Sequence, residues 1–215
     1  MLRHPRQPHG PTTNSEAHNT RTRILNAALS EFSKYGLAGA RVDRIARRAR
    51  VNKAMIYYHF RSKKTLYRDT IKQRFSDILT DAGQAITTSD RFEDMLCALA
   101  DSYATAFTKK PEFARIVLRE LADEESKIVE LLANAVTESG LRDQIVESFQ
   151  EGIRLGRFRP IDIRQAFVSF VLMNIGYFLL APMVDNVWSI TDHAEFVAER
   201  KNASIDLFLH GVKIR

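Results

Sequence analysis

The sequence predicts an all-α protein of about nine helices, and three observations lead to that prediction. Apolar residues recur at spacings of three and four along most of the chain, which is the period of an α-helix. No stretch of useful length alternates apolar and polar residues as a half-buried strand would. Asp90, Asp162 and Asp192 each stand three residues before a Glu or Gln, a capping pattern that predicts three helix starts.

Four helices are predicted in the first 87 residues, after an N-terminal tail (1–19) that we expect to be disordered. The first helix starts at Thr20 as N-cap and stops at Gly36. A short second helix follows, and Asn52 is a good N-cap for a third that runs to Phe60. Ser62 starts the fourth, which ends near Thr87.

Five further helices are predicted in the rest of the chain. They start near Asp90, Pro111, Ser126, Asp162 and Asp192. The helix that starts near Ser126 is one long helix or, as the alternative, two helices split near Gly140. Residues 166–184 carry no charge, which favours a buried helix, with a membrane span as the alternative. We expect a protein without a membrane association.

Composition excludes several classes of protein. The chain has 215 residues, of which 45% are hydrophobic and 27% charged, so it can form a real core. Its single cysteine, Cys97, excludes an intramolecular disulfide and a multi-thiolate metal site. Cys97 is interpreted as a core residue, with redox sensing as the alternative. No catalytic constellation, phosphate loop or metal motif is visible, so we expect no enzyme, no metal and no cofactor, in a cytoplasmic setting.

Charge divides the chain into two parts. Residues 1–68 hold 15 Lys and Arg against three acidic residues, a net charge of +12, while the remainder carries −6. A basic module joined to an acidic body is typical of a polyanion-binding protein, although a solvated basic face would look the same.

The second and third helices have the outline of a helix-turn-helix, with the first helix packed behind them. On the third helix, Lys53, Tyr57 and Arg61 form one row and Ala54 and Tyr58 the next, while Ile56 and Phe60 point into the core. Such an outer face suits the major groove of DNA, where Lys donates to guanine and Tyr contacts a thymine methyl or a phosphate.

Residues 20–67, which read TRTRILNAALSEFSKYGLAGARVDRIARRARVNKAMIYYHFRSKKTLY, closely resemble the DNA-binding domain of the tetracycline-repressor (TetR) family. The most specific part runs from Ile56 to Phe60 and continues with Ser62, Lys63 and Leu66. Family members often carry Thr or Ser in place of Arg41, which cannot cap a helix but can make a charged backbone contact. They also often carry Gly in place of Ala54.

The resemblance implies a role for each matching residue of the motif. Base-edge contacts would come from Lys53, Ala54, Met55 and Tyr57. Phosphate contacts would come from Arg41, Asn52, Tyr58, His59 and Lys63. The alternatives are that the tyrosines are ordinary surface aromatics, and that His59 is a packing histidine.

The resemblance also implies an architecture for residues 68–215, a larger helical domain that binds an effector and forms the dimer. The last two helices would pair with those of a second subunit, and we expect Phe170, Phe178, Ile205 and Leu209 at this interface. Effector contacts are expected from Tyr103, Phe107, Asn174 and Tyr177. For both sets, an ordinary position in the protomer core is the alternative.

The sequence therefore predicts a ligand-responsive transcriptional regulator, by resemblance a repressor. It would bind a near-palindromic operator in double-stranded DNA as a homodimer and be released by a small apolar or aromatic effector. The alternative is a helical ligand sensor whose basic module binds nucleic acid non-specifically. Arg3 and Arg6 are further candidates for a minor-groove arm, against the alternative of a solvated tail.

Overall fold

The computed structural model describes residues 14–89, 91–109, 111–123 and 126–214, which form ten α-helices. In chain order they are α1 (Asn14–Gly39), α2 (Val42–Ala49), α3 (Lys53–Phe60), α4 (Lys63–Thr87), α5 (Phe92–Lys109), α6 (Glu112–Leu121), α7 (Lys127–Glu138), α8 (Leu141–Arg154), α9 (Ile163–Trp188) and α10 (His193–Val212). Within the described ranges, extended backbone pairs in an isolated β-bridge between Phe158 and Lys213. The all-α prediction is confirmed.

The first helix starts earlier than the sequence predicted. It begins at Asn14 rather than after Thr20, so the expected tail is helical over residues 14–19. No residue in this stretch breaks a helix. The negative charge of Glu16 in the first turn stabilises the helix, because it lies near the positive end of the helix dipole. Arg3 and Arg6 lie outside the described residues. The predicted stop is confirmed, because Gly36 interrupts the helical backbone at φ 63°, ψ −178°.

The long predicted helix over residues 126–155 is two helices. Gly140 takes a left-handed conformation at φ 70°, which ends α7 and starts α8. The alternative of a split near Gly140 is therefore confirmed, and it raises the number of helices to ten.

Side-chain caps hold the N-termini of several helices as predicted. Asn52 accepts a hydrogen bond from the Met55 backbone N–H, and Asp162 accepts one from that of Arg164. Asp192 accepts two, from the backbone N–H groups of Ala194 and Glu195. Asp90, the predicted cap of α5, lies outside the described residues.

The chain divides into two compact units, which meet between Thr70 and Ile71. The sequence placed the boundary after Tyr67. The first unit has a core of fully buried side chains from α1 to α4, among them Ile24, Phe32, Ile45, Ile56, Phe60 and Leu66. Phe32 meets Tyr67 edge to face at 4.8 Å between ring centroids.

An aromatic cluster anchors the second unit. Phe149 meets Phe92 at 4.9 Å and Phe208 at 6.1 Å between ring centroids, and Phe208 meets Phe170 at 5.2 Å. Gly152 allows Phe158 to pack in this cluster, because a Cβ added at Gly152 would lie 2.1 Å from the Phe158 ring. The cluster joins α5, α8, α9 and α10.

Helix α9 is long and apolar enough to cross a membrane, judged by length and composition alone. Few of its residues are buried within the chain; Phe170, Asn174 and Tyr177 form its buried side. Its other side is exposed and largely apolar, with Leu172, Met183 and Val187 each more than half exposed. The expectation of a buried helix therefore holds for one side of α9 only.

Candidate nucleic-acid interface

A short turn joins α2 to α3. Arg50 ends α2 in the left-handed conformation at φ 54°, and the Val51 N–H donates to the Ala46 carbonyl at 3.0 Å. A left-handed residue other than glycine is uncommon. Arg23 of α1 supports the turn, because its Nη2 donates to the carbonyls of Ala49 and Arg50 at 2.5 and 3.0 Å. The end of α2 is thereby fixed to α1.

Glu31 fixes the other end of α2. Its Oε1 accepts from the Arg41 backbone N–H at 3.0 Å and from the Arg44 Nε at 2.7 Å. The Glu31 side chain is only 5% exposed, so a buried carboxylate replaces the capping side chain that Arg41 lacks. Sequence analysis missed this residue. The signal was present, since Glu31 is the single acidic residue in the predicted first helix, directly before the apolar Phe32.

The predicted orientation of α3 is confirmed. Ile56 and Phe60 are buried at 1% exposure, whereas Lys53, Ala54 and Tyr58 are exposed. Tyr57 is 42% and Tyr58 79% exposed, so the outer face of α3 carries two aromatic rings. Arg61 follows at the C-cap with φ 60° and is also exposed. We call Lys53, Ala54, Tyr57 and Tyr58 the outer face of α3.

Lys53 is engaged in an ion pair within the chain. Its Nζ lies 3.1 Å from Oδ1 of Asp43, and both side chains are at least half exposed. The hydrogen bond to Asp43 raises the pKa of Lys53 above its ordinary value, with a further coulombic contribution from the same carboxylate. Lys53 therefore carries a positive charge on this face, held close to α2.

The remaining predicted contact residues surround the outer face of α3 in different environments. Asn52 is exposed and caps α3 through its Oδ1, which lies 2.8 Å from the Met55 backbone nitrogen. Met55 and His59 are half-buried and border a groove that the N-terminal half of α1 completes. Within the part of the chain that the structure describes, the buried Nε2 of His59 has no hydrogen-bond partner.

Two predicted phosphate contacts lie away from α3. Lys63 starts α4, and its Nζ donates to the carbonyls of Ala38 and Ala40 at 3.1 and 3.2 Å. A lysine has three N–H donors, so one remains for a phosphate. Arg41 is exposed at the start of α2 and makes no side-chain cap, as the sequence predicted.

The residues nominated as effector contacts are buried in the second unit. Asn174 is held by the Phe170 carbonyl at 2.8 Å and by the Ser204 hydroxyl at 2.9 Å, and Phe107 stacks on Phe178 at 5.4 Å. The cavity beside Asn174 and Tyr177 measures about 10 Å³, room for about one water molecule. Asn174 and Tyr177 thus border a cavity that, among the described residues, is too small for an effector.

Burial also governs the titration of both nominated tyrosines. Desolvation raises the pKa of Tyr103 to about 12. The pKa of Tyr177 is raised to about 12 by desolvation and by its hydrogen bond to Asp185, whose Oδ1 lies 3.0 Å from the hydroxyl. Both hydroxyls are neutral at physiological pH.

The residues predicted for the dimer interface differ in their burial within the single chain. Phe170 and Ile205 are 1% and 7% exposed in the single chain, so their side chains pack in the protomer core, which is the alternative that the sequence left open. Phe178 and Leu209 are half-buried. The exposed large apolar side chains of α9 and α10 are Val168, Leu172, Leu180, Met183, Val187, Trp188 and Leu207.

Comparison with known proteins agrees with this geometry. Residues 24–70 match the family described as bacterial regulatory proteins, tetR family. A helix-turn-helix transcriptional repressor of Streptomyces coelicolor is 35% identical over 101 residues, which cover 47% of this chain and 49% of the repressor. The chain thus spans about half the length of this relative.

Two solved structures share the fold over most of their length. FadR from Bacillus subtilis, in complex with stearoyl-CoA, has a TM-score of 0.72 at 18% identity, with 88% of this chain and 98% of that chain covered. A ketosteroid transcriptional regulator of Mycobacterium tuberculosis has a TM-score of 0.68 at 16% identity, with 95% and 98% covered. At these sequence identities, the similarity to the two structures establishes the fold alone. Residues 24–70 thus carry the DNA-binding motif described for the tetR family of bacterial regulatory proteins, within an all-α chain.

Proposed function

We propose that the protein is a ligand-responsive transcriptional repressor of the cytoplasm, which binds a near-palindromic operator as a homodimer. The observation that carries the proposal is the outer face of α3. It is exposed, cationic and aromatic, and Glu31, Arg23 and Asn52 fix the helices that present it. A preorganised helix loses little conformational freedom when it enters a major groove.

In this proposal, residues at the start and in the middle of α3 contact the base edges. Lys53 can donate to guanine, the small Ala54 allows close approach, and Met55 and Tyr57 offer apolar contact to thymine methyl groups. Tyr58, at 79% exposure, can reach the flanking backbone. Asn52, His59, Lys63 and Arg41 supply phosphate contacts, which set the register and make binding dependent on salt.

The homodimer rests on the exposed apolar side of α9 and α10. A monomeric soluble protein rarely leaves so continuous an apolar surface in water. Two subunits related by a two-fold axis would hold two copies of α3 about one DNA turn apart or a multiple of it. The operator would then consist of two inverted half-sites.

The proposed effector is a small apolar or aromatic molecule. Tyr103, Phe107, Asn174 and Tyr177 would line its site, in surroundings of stacked phenylalanine rings. The small cavity there implies that the effector opens the core as it binds. One protein of similar fold is described in complex with stearoyl-CoA, which has a long apolar acyl chain, and another is named for a ketosteroid, which supports this class. Effector binding would shift the two DNA-binding domains and lower operator affinity.

Fluorescence anisotropy at two salt concentrations tests the proposal, with DNA fragments from upstream of the gene and its neighbours. We expect tight binding to one fragment, weakened by salt and lost in the Lys53→Ala/Tyr57→Ala double variant. Lys127→Ala, which removes an exposed charge on α7, is the control and should bind as the wild type does. Equal, weak binding to every fragment would contradict the proposal and favour a ligand sensor with a non-specific basic module.

A further inference from the structure

A small cavity lies among α5, α9 and α10, beside two of the residues nominated for the effector, Asn174 and Tyr177. Its volume is about 10 Å³. Among the described residues that line it, Arg200 and Lys201 are cationic and none is acidic. The side chain of Lys201 is 27% exposed, so this side of the cavity reaches solvent. The cavity therefore has a positively charged edge.

The two cations at this edge differ in their partners. Lys201 Nζ lies 2.8 Å from Oδ1 of Asp101, an acid outside the lining of the cavity. Arg200 Nη2 instead donates to the backbone carbonyl of Met173 at 2.8 Å, which is a neutral acceptor. Within the part of the chain that the structure describes, no carboxylate forms an ion pair with Arg200. The positive charge of Arg200 is therefore not matched by a direct ion pair among these residues.

Arg200 is half-buried and retains hydrogen-bond donors. A guanidinium has five N–H groups in a planar fork whose geometry matches the two oxygens of a carboxylate. The hydrogen bond to Met173 uses one of these N–H groups. Withdrawing a charge from water is unfavourable unless an opposite charge compensates it. An anionic ligand at the edge of the cavity would supply that charge.

The other hydrogen-bonding side chains beside Arg200 are engaged within the chain. Asn174 Oδ1 accepts from the Ser204 hydroxyl at 2.9 Å. The Tyr177 hydroxyl donates to Asp185 Oδ1 at 3.0 Å. Because these bonds hold Asn174 and Tyr177 in the core, recognition of a polar end group at this cavity falls to Arg200.

The remaining surroundings of the cavity are aromatic. The Tyr177 ring meets Phe178 at 5.3 Å and Phe196 at 5.0 Å between ring centroids. Phe178 lines the cavity and stacks on Phe107 at 5.4 Å. Phe178 is only half-buried, so its ring can move with a smaller loss of packing than a fully buried ring. An apolar or aromatic ligand skeleton thus finds aromatic contacts next to the cationic edge.

We propose that the effector is an amphipathic anion, a carboxylate on an apolar or aromatic skeleton, and that Arg200 binds the carboxylate. Lys201 adds positive potential at the edge, and the skeleton displaces Phe178 to enter among the aromatic rings. This inference rests on the proposed function and specifies the chemical class of its effector. A neutral ligand with the same skeleton would leave the guanidinium of Arg200 without an anionic partner.

Matched pairs of probes test this class in the full chain, because the members of a pair share a skeleton and differ in the charge of the end group. Decanoate is compared with decanol, and phenylbutyrate with phenylbutanol, by isothermal titration calorimetry at neutral pH, where both carboxylates are ionised. We expect the wild type to bind at least one carboxylate about tenfold or more tightly than the matching alcohol, since a hydrogen bond between charged groups is the stronger kind.

Substitution of Arg200 identifies the group that reads the carboxylate. Arg200→Gln can still donate to the Met173 carbonyl but lacks the charge, so its affinity for the carboxylate should fall to that for the alcohol. Arg154→Gln makes the same change at an exposed position of α8 and should keep the full preference. Arg200→Lys retains the charge without the planar fork and should keep part of the preference. Circular dichroism verifies that each variant is folded, and Arg200→Lys carries the test if Arg200→Gln is not.

The outcomes separate this inference from the proposed function. Equal affinity for acid and alcohol, an undiminished preference in the Arg200 variants, or binding of none of the four probes would overturn the inference. None of these results concerns operator binding, which anisotropy with the selected DNA fragment measures independently. A carboxylate that binds through Arg200 but leaves operator affinity unchanged would support the inferred site and contradict the ligand response in the proposed function.

Discussion

Lys53 Nζ and Asp43 Oδ1 lie 3.1 Å apart, so the first residue of α3 is bound to α2 in the DNA-free chain. This ion pair lies at the N-terminal end of the outer face of α3. A guanine contact by Lys53 would have to break or share it. Asp43 is thus an internal competitor for the base contact, and its negative charge also opposes the approach of DNA.

Asp43→Asn is expected to strengthen DNA binding. The variant releases Lys53 and removes one negative charge beside the phosphates, so affinity should rise several-fold at low salt and less at high salt. Asp81→Asn makes the same charge change at an exposed position of α4 and is the control. Anisotropy titrations that give equal affinities for the two variants would show that the Lys53 pair does not restrain binding.

Glu31→Ala is expected to destabilise the chain by about 1–3 kcal/mol, because the Arg41 N–H and the Arg44 guanidinium would lose a buried acceptor. Urea unfolding gives the measurement. Glu130→Ala, at an exposed position of α7, should change the free energy of unfolding by less than about 0.5 kcal/mol. A Glu31→Ala variant as stable as Glu130→Ala would contradict the role of Glu31 in holding α2.

Two substitutions of Asn52 separate capping from DNA contact. Asn52→Ala removes the acceptor for the Met55 N–H and should cost about 1 kcal/mol of stability. Asn52→Asp keeps the cap and the stability, but its negative charge should weaken DNA binding about tenfold or more. The two variants are compared by urea unfolding and by anisotropy. Undiminished DNA affinity in Asn52→Asp would show that this residue lies away from the phosphates.

Gly152→Ala and Gly83→Ala should change stability in opposite directions. At Gly152 the new methyl group would overlap the Phe158 ring, so the aromatic cluster must shift, at a cost of about 1–3 kcal/mol or more. At Gly83 the methyl group meets nothing, and the better helix former should add about 0.5–1 kcal/mol. Thermal unfolding of the two variants measures both effects. Equal melting temperatures would contradict the packing around Phe158.

The sequence predicted α3 well because local signals agreed there. The Asn52 cap and the apolar spacing of Ile56 and Phe60 are encoded within nine residues, so the outer face followed directly. Glu31 was missed for the opposite reason. Its partners are Arg41, the N-cap of α2, and Arg44 within α2; they lie ten and thirteen residues along the chain, and only the folded contact reveals them.

The sequence does not indicate which side of α9 would face a second subunit, because α9 is apolar on nearly every side. Periodicity therefore does not distinguish a side that faces a second subunit from a side that faces the protomer core. In the folded chain Phe170 packs on Phe208, while the smaller Leu172 and Val187 remain exposed. The closed core around Asn174 was likewise beyond sequence analysis, since a cavity depends on how side chains from several helices fit together.

The central claim is that α3 reads bases in the major groove at two inverted half-sites. Methylation of guanine N7 places a methyl group in that groove, so interference by this modification on the selected DNA fragment is the most direct test. We predict interference at guanines in two clusters about 10 base pairs or a multiple apart, lost in the Lys53→Ala/Tyr57→Ala variant. Interference at no guanine, or uniformly along a fragment that the protein still binds, would contradict the claim.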